Sequence, residues 1–149
     1  MGADLPLNEA MVTARLNDIR EQLRVLRAHA CTEDRAFLAN AEGIRSARYA
    51  LIVLVEAAAA ICNHLCARRL RETPETYADC FRRMAAGGLL DRGLAARLGA
   101  MARLRNLLVH VYAQVDDARL LRALREDLAD VEAYAQTVEG LLAAEGGAP

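Results

Sequence analysis

Residues 49–60, YALIVLVEAAAA, constrain the fold more than any other part of this chain, because they are apolar on nearly every face. A helix with one apolar stripe can lie on a surface, but a helix apolar all round has to be enclosed by others. The rest of the 149-residue chain supplies the enclosing material. Hydrophobic residues make up 54%, mostly Ala and Leu, aromatics only 4%, and there are three prolines. That composition favours helix and disfavours strand. A chain of this length buries roughly 68–70% of its unfolded surface as one domain, enough for a core without cross-links. The expectation is an all-α protein, one domain over residues 1–149, with flexible tails at 1–6 and 145–149.

Apolar periodicity and capping signals divide the chain into about five helices joined by short connections, which favours an up-and-down bundle. The first covers about 7–30, with Met11, Leu16, Ile19, Leu23 and Leu26 on one stripe. Thr32 is the expected N-cap of a long second helix, about 33–71, with Glu33 and Asp34 at the positive end of its dipole. Its middle is the 49–60 run, the central buried segment. Thr73 and Pro74 predict the start of a short third helix, about 74–86, closed by Gly87-Gly88. Asp91 opens a fourth, which carries Leu94, Leu98, Met101, Leu104 and Leu108 into RNLLVHVY, residues 105–112. A fifth covers about 117–144.

The formal charge is −1, so no global basic field recruits nucleic acid, and any such contact needs a local cluster. All 19 basic residues are arginine, as a GC-rich coding bias also produces. No apolar run is read as long enough for a membrane span, and MGADLPLNEAM lacks the regions of a signal peptide. Cys31, Cys62, Cys66 and Cys80 sit in helical patterns and read as small hydrophobes of a reduced, cytoplasmic protein. Cys62 and Cys66 are one turn apart, but zinc needs a further pair, which Cys31 and Cys80 are not expected to supply. No metal and no cofactor is expected.

The chemistry concentrates in RNLLVHVY, at the end of the fourth helix. Arg105 is a permanent cation suited to phosphate, and His110 moves protons near neutral pH. Asn106 shares a helix face with His110, four residues on. Arg105 and His110, five apart, diverge by roughly 140° on an ideal helix. One chain therefore presents half a site unless the helix breaks near His110 or a second copy contributes across a two-fold axis. The reaction suited to such a cleft is metal-independent RNA cleavage. His110 would exchange protons with the ribose 2′-hydroxyl or the leaving 5′-oxygen, and Arg105 would hold the phosphate. No carboxylate cluster of metal-ligand spacing accompanies the segment.

RNLLVHVYAQVD resembles the Arg-x4-His-x-Tyr motif of HepT-like toxins, in the HEPN superfamily of ribonucleases. Upstream, Ala59-Ala60-Ile61-Cys62-Asn63-His64 is similar to the family's Asn-His turn. Thr73-Pro74-Glu75-Thr76-Tyr77, Phe81 and the Gly-Gly-Leu-Leu connection are similar to its third-helix region. The likeness covers about 41–117, and the heavy Ala content of 57–60 departs from it. The resemblance implies a HEPN-like bundle and a homodimeric endoribonuclease toxin acting on tRNA or mRNA. Arg105 and His110 would be the catalytic pair, supported by Asn106. It also implies a nucleotidyltransferase antitoxin partner of the MntA kind, which adds AMP to Tyr112. Bulk and negative charge there would block RNA binding. The competing reading is a non-catalytic helical dimer that serves as a binding module for such a partner.

Arg68, Arg69 and Arg71 form a run that either complements a helix dipole or, with Arg103, offers a basic rim to RNA or partner. Arg82 and Arg83 would extend that rim if the fold brings them together. His64 reads as a satisfied helix histidine, with a second catalytic role as the alternative. His29 and Tyr134 belong to no constellation.

Overall fold

A computed structural model describes residues 4–146. Among these are seven α-helices: α1 (Glu9–Ala30), α2 (Asp34–Leu38), α3 (Ala41–Leu65), α4 (Tyr77–Ala86), α5 (Arg92–His110), α6 (Asp117–Glu126) and α7 (Leu128–Gly146). A π-helical turn, Cys66–Leu70, prolongs α3, and a 3-10 turn, Tyr112–Gln114, follows α5. No strand occurs among the described residues.

The all-helical reading holds, but two of the expected helices are each divided. The second breaks at Asn40, whose side chain accepts from the Gly43 N–H at 3.0 Å and so caps a new helix. Thr32 is not a cap. Its hydroxyl donates back to the Ala28 carbonyl, and Glu33 precedes α2 without a side-chain bond. The fifth breaks at Asp127, where φ is −107°. The third starts later than expected, because Thr76 rather than Thr73 accepts from the Asp79 N–H. Gly88, at φ +79°, supplies the left-handed residue that reverses the chain between α4 and α5.

The helix α3 takes the central place that its sequence demands, packing against α1, α2, α4 and α5. By length and composition Ala41–Leu70 would pass for a membrane span, an 18-residue window within it having mean hydropathy 1.9, which corrects the reading that no run is long enough. Burial explains it: 61% of that window is inside the protein. The α1 stripe Val12, Leu16, Ile19, Leu23 and Leu26 closes over α3, and truncating such a leucine to Ala costs about 2–5 kcal/mol. Tyr134 of α7 is fully buried edge-on to Phe81, and its hydroxyl donates to the Ala58 carbonyl at 2.8 Å. Burial raises its pKa.

Of the expected tails, residues 1–3 and 147–149 lie outside the described residues. Inside them, Leu5 and Glu145 are held. The Leu5 N–H donates to Arg68 O, and Glu145 accepts from the Leu7 N–H at 3.0 Å.

Candidate ribonuclease site

The chain leaves helical geometry at Val111 (φ −134°, ψ 48°), so α5 ends directly on His110. The break is set from a distance by Arg48 of α3, the one buried charged residue among the described residues, at 6% exposure. Its Nη1 donates to the Tyr112 carbonyl at 2.9 Å, and its Nη2 to the Val115 carbonyl at 2.9 Å and to Asp117 Oδ1 at 2.7 Å. Its guanidinium also lies 4.3 Å from the Tyr112 ring centroid. Arg48 thus gathers the carbonyls of the turn that links α5 to α6. The ring of Tyr112 is thereby held by its face while the residue stays half exposed.

Arg105 sits one and a half turns earlier, in a cradle made by three helices. Nη1 donates to Asn106 Oδ1 at 3.0 Å and Nη2 to Glu56 Oε1 on α3 at 2.6 Å. The guanidinium lies 5.1 Å from the ring centroid of Tyr77, the first residue of α4. Its side chain is 15% exposed, whereas Glu56 is 47% exposed. The Arg105 Nε is buried and unpartnered. His110 is exposed, with no side-chain hydrogen bond among the described residues. Asn106, four residues before His110 on the same helix, accepts from Arg105. No hydrogen bond among the described residues joins Arg105 to His110, although the helix does break after His110.

Of the arginines expected to form a basic rim, some serve the fold and others line an open groove. The Arg69 Nη1 donates to the Leu5 carbonyl, and its Nη2 lies 3.1 Å from Glu145, so this side chain secures the N-terminal segment. Arg71 takes the left-handed conformation (φ 56°) that ends the π turn. Arg103 lines a groove of about 700 Å³ between α4 and α5 together with Arg82 and Arg92. Arg83 is committed to Asp79, whose carboxyl its guanidinium holds down at about 2. His64 Nε2 accepts from the Asn8 N–H at 2.9 Å, as a satisfied neutral histidine. Burial, reinforced by Arg68 and Arg69, lowers its pKa.

The cysteines require a correction. Cys62 of α3 and Cys80 of α4 form a disulfide with Cα atoms 6.1 Å apart, and Cys66 Sγ lies 3.8 Å from Cys80 Sγ. Cys80 therefore joins Cys62 and Cys66 in a buried trio, while Cys31 stays apart and exposed. Spacing within one helix could not reveal a third sulfur arriving from another. Sequence reasoning also passed over Arg48 and Glu56, though both are charges inside the most apolar helix, which was the available signal.

The layered helical bundle defines an all-α class of protein, and several solved structures share the fold. A tri-AMPylated HEPN toxin of Shewanella oneidensis in complex with an MNT antitoxin matches with a TM-score of 0.81 at 20% identity, covering 87% of this chain and 97% of that one. A toxin–antitoxin complex with AMP-PNP matches at 0.79 and 20% identity, covering 86% and 97%. YutE of Bacillus subtilis, a cytosolic protein of unknown function, matches at 0.82 and 15% identity, covering 96% of each chain. No curated protein sequence is significantly similar to the chain. The Ribonuclease HepT-like family matches residues 19–138. The chain belongs to that family.

Proposed function

We propose that the protein is the toxin of a toxin–antitoxin pair: a cytoplasmic, metal-independent endoribonuclease whose site is completed in a homodimer. The observation that carries this reading is the Arg105 cradle. An arginine fixed by a carboxylate, an amide and a ring, with its carboxylate partner half exposed, is a preorganised phosphate anchor. The exposed imidazole of His110 at the helix end is the proton carrier. It would take the proton of the ribose 2′-hydroxyl as that oxygen attacks phosphorus, or protonate the departing 5′-oxygen, while Arg105 balances the charge gathering on the phosphate.

One chain separates the two groups, so the partner copy is needed to bring a histidine to each arginine. Exposed apolar side chains beside the motif support that pairing: Tyr49 at 68%, Val109 at 42% and Tyr112 at 50%. Tyr49 and Glu56 are two turns apart on one face of α3, and Val109 follows Arg105 by one turn on α5. Tyr112, clamped by Arg48 with its outer edge in solvent, is presented for modification by a nucleotidyltransferase antitoxin. AMP there would place a phosphodiester and a nucleoside over the anchor and exclude RNA.

Purified protein should cleave a mixed RNA pool, and His110→Ala should slow cleavage by about 10²- to 10⁴-fold. Arg105→Ala should cost about 10²- to 10³-fold. Mixing the two inactive variants should restore activity through heterodimers carrying one intact pair. If wild type cleaves no RNA and all three proteins leave growth unaffected without the partner, the chain is a binding module instead. After co-expression with a nucleotidyltransferase of the MntA kind, intact mass should show AMP adducts that Tyr112→Phe removes.

A further inference from the structure

The disulfide lies between the two helices that hold Arg105. Glu56, which pairs with Arg105, precedes Cys62 by six residues on α3, and Tyr77, which stacks on Arg105, precedes Cys80 by three on α4. Both jaws of the cradle are thus within two turns of one covalent tie. A third sulfur, Cys66, stands one turn beyond Cys62 at 3.8 Å from Cys80, and all three residues are fully buried. Asn63 Oδ1 lies 3.5 Å from Cys80 Sγ in the same corner.

We infer that Cys62, Cys66 and Cys80 form a reversible thiol–disulfide site, with Cys80 the shared partner, whose oxidation locks the Arg105 cradle. The chemical class of its reagent is a small disulfide. Two cysteine thiols and one oxidised glutathione exchange to give the Cys62–Cys80 bridge and two glutathione thiols, a balanced two-electron transfer. Cys66 provides a second pairing. As a thiolate it attacks Cys80 Sγ, the Cys66–Cys80 bond forms, the Cys62–Cys80 bond breaks, and the Cys62 thiolate takes up the proton that Cys66 released. That migration needs no oxidant. Burial pushes the Cys66 thiol up to about 11, so at neutral pH it is protonated and the Cys62–Cys80 pairing persists. A soft metal on the three sulfurs is the alternative; the Cys62–Cys80 bond stands against it, since it leaves Cys66 as the one free thiol of the trio. Reagent access requires α4 to lift its first turns from α3, a local opening of the kind amide exchange detects.

The effect on cleavage rests on the ribonuclease reading; the bridge and the α4 opening do not. The purified full chain is equilibrated in glutathione buffers of stepped ratio, quenched, alkylated with iodoacetamide under denaturing conditions, and mapped by mass spectrometry. Wild type should pass from four alkylated cysteines to two, with Cys62 and Cys80 protected. Cys62→Ser should shift the bridge to Cys66–Cys80, Cys66→Ser should leave it at Cys62–Cys80, and Cys80→Ser should abolish it. Hydrogen exchange at residues 77–81 should quicken on reduction in wild type and be insensitive to it in Cys80→Ser. RNA cleavage should fall roughly tenfold or more on reduction, because small misplacements of an anchor are costly. Four alkylated cysteines at every ratio, or a chelator-labile zinc in the native mass spectrum, would overturn the inference. So would equal exchange at 77–81 in the two redox states. Protection and exchange that behave as stated, without any cleavage, would sustain this site and remove the ribonuclease reading instead.

Discussion

Two arginines, Arg48 and Arg105, have nearly the same surroundings and opposite consequences. Each stacks on a tyrosine, at 4.3 Å from Tyr112 and 5.1 Å from Tyr77. Each bonds a carboxylate, Asp117 at 2.7 Å and Glu56 at 2.6 Å. Arg48, however, also feeds two backbone carbonyls and is closed off from water, so its charge is spent on holding the chain. Arg105 feeds no carbonyl and leans on a half-exposed carboxylate. The lesson is that a charge fixed by backbone acceptors shapes the fold, while one fixed by a single exchangeable side chain stays available to a ligand.

The comparison breaks most visibly if the two arginines are removed in turn. Arg48→Met should destabilise the fold by about 2–3 kcal/mol, because charged hydrogen bonds to two carbonyls and to Asp117 are lost. Denaturant unfolding would measure it. Arg105→Met should cost less than about 1 kcal/mol, as exposed pairs do, while abolishing cleavage. Equal losses of stability would erase the distinction drawn between them. The rings give a smaller effect. Tyr77→Leu should weaken the Arg105 anchor by about 0.5–1 kcal/mol, a few-fold in cleavage rate, with unfolding little changed.

The smallest effect is a pH dependence at the far end of α3. His64 accepts a hydrogen bond only as the neutral imidazole, and its pKa is lowered chiefly by burial. Its contribution to stability is therefore complete above the unfolded value near 6.5 and fades as pH falls through the lower folded value. Amide exchange around Asn8, taken relative to its intrinsic rate at each pH, should quicken between pH 7 and pH 5 in wild type. In His64→Gln, whose amide oxygen accepts without titrating, that acceleration should disappear; its persistence would point to Glu145 instead.

Much of the bundle was legible because periodicity and caps are local. The α1 stripe and the Asp91 cap that opens α5 follow from neighbours in sequence, as Asp91 accepting from the Leu94 N–H shows. The Asn40 break was missed because an asparagine in a helical pattern reads as an interior residue until its side chain is seen to cap. The site was legible in its residue types, Arg105, His110 and Tyr112, but not in its construction. Glu56, Tyr77 and Arg48 lie 28–64 residues from the groups they hold, and nothing periodic links them.

The sequence by itself determined that a helix apolar on all sides must lie at the centre, and that one short segment carries the phosphate and proton chemistry. Those follow from side-chain type and the 3.6-residue turn, which need no distant partner. Tertiary structure alone decided where α5 stops, which carboxylate steadies Arg105, and which cysteines meet. These depend on contacts between helices, whose free energy is set by approach distance and exclusion of water rather than by order along the chain.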